Sequence, residues 1–353
     1  MAHSFSDRIK SARLINAFSL EDLSNALGGK ISRQALHRYE TGEVMPDSEM
    51  INLLSDALNV RPDFFFRETE IEIGPIEYRK LKMPVKEENK IVELTRDYLS
   101  RYLELEEILD IPTSFENPLK NVGIVSSYQQ VNNAANDLRK AWKLGCDPLY
   151  NVVELLEDKH IKIVKIDADL AFDGLQTWVN GEKIPVIAYN VRKLQKADRI
   201  RFTLLHELAH LLLDFGDITE KQKEKLCNQF AGAMLLPEES LIKELGISRD
   251  RILMEELGFI KQQYGISIQA IIMRANACGI IHNYYTSQFF FMIKQMNWNI
   301  DEPKEFDYQG MEDAKRFDQL IYRAIGEEKI SLSKAASLRN QKLSEFRQHS
   351  FLI

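Results

Sequence analysis

The sequence has little with which to cross-link itself. Its three cysteines, Cys146, Cys227 and Cys278, are widely spaced and odd in number, so they give no disulfide framework and suit a reducing, cytoplasmic setting. No run approaches the roughly 18 consecutive apolar residues of a membrane span. The start, Met1-Ala-His-Ser-Phe-Ser-Asp-Arg8, lacks the apolar stretch of a secretory signal. Positive charge is not in excess either. A formal net charge of −7 speaks against wholesale coating of nucleic acid, while leaving room for one local basic patch. Histidine is scarce, with seven in 353 residues. What remains is the balance of ordinary globular protein, 44% hydrophobic and 28% charged, at a length sufficient for two or three domains.

That scarcity gives weight to Arg201-Phe-Thr-Leu-Leu-His206-Glu207-Leu-Ala-His210-Leu-Leu-Leu213. Apart from His206, Glu207 and His210, every residue from Leu204 to Leu213 is Leu or Ala, which predicts a helix buried on all sides. His206 and His210 stand four apart and share one helical face. Two imidazoles and a carboxylate among leucines are costly unless paired or bound to a metal. Zinc accepts neutral imidazole, and a zinc-bound water needs a carboxylate to take its proton. A catalytic zinc needs a third protein ligand. The metzincin continuation is excluded, because it requires Gly at 213 and His at 216, where this chain has Leu213 and Gly216. The third ligand is therefore expected to be a downstream carboxylate, from Asp214, Asp217, Glu220 and Glu224. Glu224 is favoured: it opens a second helical segment, where Asn228 shares its face and can steady the ligand or a ligating His from behind.

Arg-Phe-Thr-Leu-x-His-Glu-Leu-x-His-Leu-Leu-Leu, followed by Glu-x-x-x-Asn-x-Phe-Ala and Leu-Leu-Pro, resembles the ImmA/IrrE family of metallopeptidases. The resemblance implies a small α+β domain with His206, His210 and Glu224 as zinc ligands and Glu207 as general base. It also implies a protein substrate, since several members cleave helix-turn-helix repressors and release stress or mobile-element genes. Two positions depart from the family pattern: Ala209 where Gly is usual, and Cys227 where Ala is usual. Cys227 lies three residues after Glu224 and raises the question of a competing ligand.

Residues 5–66 are predicted to form about five short helices. Ser6 caps the first, Ser19-Leu-Glu-Asp22 makes a capping-box-like start to the second, and Gly28-Gly29 ends it. Ser32 caps the third, Thr41-Gly42 stops it, and Pro46 precedes the fourth. Helix, short Gly turn, helix is the helix-turn-helix unit. The third helix should turn Ser32, Arg33, Gln34, His37 and Arg38 outward and Ala35, Leu36 and Tyr39 inward. Arg pairs with guanine and Gln with adenine in the major groove, and hydroxyl and spare Arg groups hold phosphates. Residues 1–40 carry six basic against four acidic residues, whereas 41–70 carry two against seven, which confines the positive face to the first three helices. Arg-Ile-Lys-x-x-Arg, Ser-Leu-Glu-Asp-Leu and Ser-Arg-Gln-Ala-Leu-His-Arg-Tyr-Glu-x-Gly resemble the Xre/Cro-type repressor domain. That resemblance implies double-stranded operator DNA as partner, a homodimer on symmetric half-sites, and a structural Arg13–Glu40 pair.

Between these regions, Ile71–Asn89 reads as a connector, and Ile91–Leu109 has the apolar stripe of a packing helix or dimer seam. Helices are expected over Val131–Leu144 and Leu149–Asp158, and a strand over Ile161–Ile166. Gln176–Val179 and Pro185–Tyr189 form a hairpin turned at Asn180-Gly181, offered as the sheet edge that aligns an extended substrate. Toward the C-terminus, Ile247–Tyr264 and Ser267–Cys278 suggest a helix pair with Arg274 exposed, and Phe289-Phe-Phe-Met292 reads as core.

The expected protein is α+β and mostly α. A five-helix helix-turn-helix domain spans 1–68, and a linker with a connecting helix spans 69–110. A small α+β metallopeptidase domain follows over 111–245, then a helical C-terminal region over 246–353. Its expected function is that of a cytoplasmic, DNA-binding transcriptional regulator with a zinc endopeptidase domain, active or latent, that cleaves a repressor-type protein or itself. No membrane partner is expected. The alternative is a non-catalytic repressor or antitoxin-like regulator whose metal site is structural or inactive.

Overall fold

Capping chemistry starts the second and third helices where the sequence places it, at Ser19 and Ser32, whereas Ser6, expected to cap the first helix, lies inside it. A computed structural model describes residues 5–67, 71, 73–74, 77–78, 83–181 and 183–349; residues 68–70 and, within the expected connector, 72, 75–76 and 79–82 lie outside them. Four helices, α1 (Phe5–Ile15), α2 (Leu20–Ala26), α3 (Arg33–Glu40) and α4 (Ser48–Ala57), are followed by a 3-10 turn at Pro62–Phe66. Ser19 and Asp22 form a reciprocal capping box at α2, and the side chains of Ser32 and Asp47 cap α3 and α4. Ile9, Ala12, Leu23, Leu36, Leu54, Phe64 and Phe65 close a small core. Arg13 reaches across it to Glu40 through two hydrogen bonds of 2.6 and 2.8 Å, tying the first helix to the end of the third.

The helix α5 (Val85–Ile108) is a spine on which three bodies are mounted. Its apolar stripe is spent on packing within the chain. Ile91 and Leu99 join the core of the sheet, while Tyr102 and Leu105 join that of α14 (Arg316–Gly326), α15 (Leu332–Leu338) and α16 (Leu343–His349). Polar positions of the same helix anchor the N-terminal head. Buried Arg8 donates to Asp97 at 2.9 Å and to the Phe64 carbonyl at 3.1 Å, and Ser11 donates to Glu93 at 2.6 Å. Burial pushes the Asp97 carboxyl up, but Arg101 and Arg8 more than offset this and hold it below the ordinary carboxylate range. The head also touches the last helices, since Arg61 donates to the Gln341 carbonyl at 2.8 Å and Ser337 donates to Asp63.

Between spine and C-terminal helices lie α6 (Tyr128–Ala141), α7 (Val152–Asp158) and a four-stranded sheet. The strands β1 (Glu77–Tyr78), β2 (Lys162–Ile166), β3 (Gly174–Val179) and β4 (Ile184–Asn190) take the order β1-β3-β4-β2. β2 runs parallel to β4, and the other pairs are antiparallel. Residues of β4 alternate between two cores: Ile187 and Tyr189 face α8 (Ala197–Leu212), while Val186 and Ala188 face α5. The expected substrate edge is already occupied, because β1 pairs with the outer side of β3.

Helices α9 (Glu220–Leu235), α10 (Glu238–Leu245), α11 (Met254–Tyr264), α12 (Ile268–Ala277) and α13 (Asn283–Gln295) complete the body around α8. Three expectations need correction here. The helix expected from Ile247 starts at Met254. Arg274, expected on the surface, is 4% exposed; its Nε donates to the Leu236 carbonyl at 3.1 Å and its Nη1 to the Tyr128 hydroxyl, so it serves the otherwise unpaired end of α9. The Phe289–Met292 cluster is split by the helical turn, with Phe289 buried and Phe291 65% exposed. Among the described residues, no helix is long and apolar enough to cross a membrane.

Where α7, β2, α5 and α14 meet, Glu157 is 7% exposed. Burial pushes its carboxyl up to about 8 from an ordinary 4.5, although the Arg316 main chain and the charges of Lys162, Arg316 and Lys165 pull the other way. The unfolded chain therefore ionises first. This group's contribution is fully present below pH 4.5 and is lost as pH rises toward about 8. Glu157→Gln is expected to raise stability at pH 8 by up to about 5 kcal/mol, with the gain vanishing near pH 4.5, as urea midpoints at both pH values would measure.

Candidate metal centre

The leucine-rich helix α8 is buried at Leu204, Leu205, Leu208 and Ala209, and His206 and Glu207 are 0% and 2% exposed within it. The chain leaves α8 through Asp214-Phe-Gly-Asp217 and re-enters α9 after Thr219, which forms a capping box with Gln222. Gly216 makes that return at φ +59°, and a Cβ there would meet Ile124 Cγ2 at 2.9 Å, so both backbone angle and space call for glycine. The cap sets the phase of α9, and packing of α9 on α8 turns Glu224 toward the two imidazoles.

Three side chains converge, through two imidazole nitrogens and the two oxygens of one carboxylate. His206 Nε2 and His210 Nε2 lie 3.2 Å apart, and Glu224 oxygens lie 3.2 Å from His210 Nε2 and 3.5 Å from His206 Nε2. Ligands at the usual zinc distance of about 2.0–2.1 Å and tetrahedral angles would be about 3.3–3.4 Å apart. The three separations fit a single cation between the donors. On the far side of the ring, His206 Nδ1–H donates to Asn228 Oδ1 at 2.9 Å. That bond leaves the Nε2 lone pair facing the other donors, the tautomer a metal requires. Phe215 packs its ring against His210 with centroids 6.3 Å apart.

The other carboxylates considered from sequence do not join this group. Asp214 turns its carboxylate to the Gly216 N–H at 2.9 Å, and Asp217 and Glu220 stand exposed. Cys227 does approach: its Sγ and one nitrogen of each His fall within 4.8 Å of one another, and the residue is fully buried. The Glu224 oxygens are the better match to a ligand shell, since their distances are those of a tetrahedron's edge. Glu207 is not among the converging atoms. Its Oε1 would lie 3.6 Å from a Cβ at Gly174, the first residue of β3. Gly174 and Phe215 carry no signal in the sequence, since their relation to the centre is purely spatial.

On the head, Ser32, Arg33, Gln34, His37 and Arg38 are all exposed, while Leu36 is buried and Ala35 and Tyr39 are half-buried. Ser32 spends its hydroxyl on the Ala35 N–H at 3.2 Å, so it acts first as a cap. Arg38 meets Glu43 only loosely, at 3.4 Å with both side chains more than half exposed.

With both sites described, comparison with known proteins is informative. Residues 9–65 match a family described as helix-turn-helix, and residues 156–276 match a peptidase family described as the IrrE N-terminal-like domain. The chain joins a helix-turn-helix domain to an IrrE-like peptidase-family domain. The match to the IrrE-like domain runs from the end of α7 through the sheet, α8 and α9 to α12, and so includes every atom of the converging group. The chain is also similar to the SPbeta prophage-derived uncharacterized HTH-type transcriptional regulator YonR of Bacillus subtilis (strain 168). The two are 32% identical over 68 residues, which is 19% of this chain and 61% of that relative.

Proposed function

We propose that the chain is a DNA-binding transcriptional regulator whose IrrE-like domain is a zinc-dependent endopeptidase, cleaving a repressor-type protein or the chain itself. The convergence of His206 Nε2, His210 Nε2 and Glu224 carboxylate oxygens at 3.2–3.5 Å, with Glu207 on the same helix, carries this reading. Zinc, when bound, would supply an acidified water and polarise the scissile carbonyl. Glu207 takes the water's proton as it attacks and passes it to the leaving amide nitrogen. Asn228 holds the His206 ring in register through Nδ1. In the head, Arg33, Gln34 and His37 read base edges and Arg38 holds phosphate, with homodimers on symmetric half-sites of operator DNA. The three free cysteines and the helix-turn-helix head fit a cytoplasmic protein.

A second reading has Cys227 in its favour. A thiolate beside two imidazoles and a carboxylate would close the coordination shell, as in structural zinc sites, and leave a regulator that binds DNA without cleaving protein. Zinc content decides the ligand set. The purified chain should hold about one zinc, lost in His206→Ala and Glu224→Ala, and bound about 10–100-fold more weakly in Asn228→Ala. Zinc retained at full affinity by Glu224→Ala would remove that residue from the shell. A closed shell instead requires Cys227→Ala to weaken zinc binding as much as Glu224→Ala does.

A further inference from the structure

A groove of about 780 Å3 lies between α9 and α12. Gly232, Ala270 and Ala277 make room for it, and Phe202, Tyr128 and Phe290 give it an aromatic lining. No Asp or Glu is among its described lining residues, although the chain carries a net charge of −7; its cations are Lys225 and Arg274. Arg274 is the unusual member. It is 4% exposed; Nε and Nη1 are spent on the Leu236 carbonyl and the Tyr128 hydroxyl, and Nη2 has no hydrogen-bond partner. Among the described residues no carboxylate pairs with this guanidinium. Buried cations elsewhere are provided for. Arg8, Lys162, Arg201 and Lys261 are ion-paired with Asp97, Glu106, Glu312 and Glu302. Arg139 spends its three nitrogens on the carbonyls of Gly145, Met234 and Asp147. A buried cation left without a counter-charge is costly, and an anion brought into the groove would relieve that cost.

We infer that the groove between α9 and α12 binds a small apolar monocarboxylate, its charge on Arg274 Nη2 and its body among the rings of Phe202, Tyr128 and Phe290. Apolar walls around a few placed polar groups, in a volume of about 300–1,000 Å3, are the usual form of a small-molecule site. A carboxylate on a guanidinium makes a charge-assisted bond, and exposed Lys225 adds to the attraction for an anion. Arg274 lies inside the groove, out of reach of a flat protein surface, which favours a small molecule over a protein partner. Nη2 is covered by its neighbours, so binding includes the shift of a lining side chain; Met273, unbranched and 52% exposed, can supply it. The groove is separate from the metal's open position. It meets the metal centre at Asn228, which accepts from Nδ1 of His206, behind the imidazole whose Nε2 faces the other donors. The inference therefore goes beyond the peptidase reading and stands without it.

The test titrates the purified full-length chain by calorimetry with 2-naphthoate, with decanoate, and with 2-naphthamide, which has the rings of the first and no charge. At least one of the two acids should saturate a single site per chain, and the amide should bind about tenfold or more weakly than 2-naphthoate. A Cβ at Gly232 would stand 3.5 Å from Arg274 Cδ, an ordinary contact, so Gly232→Leu is accommodated by α9 while its side chain fills the groove. With the wild-type zinc content and thermal midpoint, this variant should lose binding of the acids by about tenfold or more. Ala270→Phe fills the same groove from α12 and gives the reading should Gly232→Leu fail to fold. Arg274→Gln should lose the preference for acid over amide. Saturable binding of neither acid, or equal affinity for 2-naphthoate and 2-naphthamide, overturns the inference. Binding unchanged in a folded groove-filling variant overturns it as well and places the carboxylate elsewhere, the metal centre included.

Discussion

Glu207→Gln should keep its zinc and lose peptide hydrolysis by about 10²–10⁴-fold, the usual contribution of a positioned general base. The two halves of this result have separate causes. The atoms that converge belong to His206, His210 and Glu224, so an amide at 207 takes nothing from the ligand shell. Glutamine has nearly the volume of glutamate, so the leucine packing around a residue 2% exposed is preserved. What disappears is a group able to take a proton from water and return it to the leaving nitrogen. Zinc content by elemental analysis and fragment yield by mass spectrometry, read on the same preparation, check both halves. If zinc leaves together with activity, Glu207 is holding the site and not serving as its base. If activity was never present and operator binding is identical in both forms, the binding-only reading with Cys227 in the shell is the better one.

The parts of this site that were legible in the sequence are those written in local spacing. The spacing of four from His206 to His210, and of four from Glu224 to Asn228, is a helical interval, and the capping residues Ser19 and Ser32 fix where helices begin. The outward set on α3 follows from the same periodicity. The rest depends on tertiary neighbours, to which local spacing is blind. Arg274 looks like a surface residue until the Leu236 carbonyl and the Tyr128 hydroxyl are brought to it from two other helices. The apolar stripe of α5 announces packing without saying that it divides between the sheet and the last three helices. Gly74 reads as an ordinary connector glycine, and only the approach of the Trp178 carbonyl gives it a reason. Which carboxylate completes the centre was narrowed by phase on α9; the distances to both imidazoles favour Glu224 over its neighbours in sequence.

Glu312→Ala should be the most damaging single change outside the metal centre, lowering stability by about 3–5 kcal/mol. Its partner Arg201 stands five residues before His206 on α8 and is fully buried. The guanidinium donates to the Leu149 carbonyl at 2.6 Å and to the Tyr308 hydroxyl, and its Nη1 lies 3.2 Å from Glu312. Glu312 comes from the irregular chain between α13 and α14 and also accepts the N–H groups of Val152 and Val153 at 2.8 and 2.9 Å, capping α7. One carboxylate therefore neutralises a buried cation on the metal helix and closes the start of another helix. Burial holds the Glu312 carboxyl above its ordinary range even with Arg201 beside it, so the site tolerates loss of charge better than loss of acceptors. Glu312→Gln keeps an acceptor for α7 and should cost less than Glu312→Ala. Removing both charges, as Arg201→Met with Glu312→Leu, should recover much of the loss, because no uncompensated ion is left inside. Urea denaturation of the three variants checks the order. Zinc affinity measured beside it shows whether the displaced start of α8 is felt at His206.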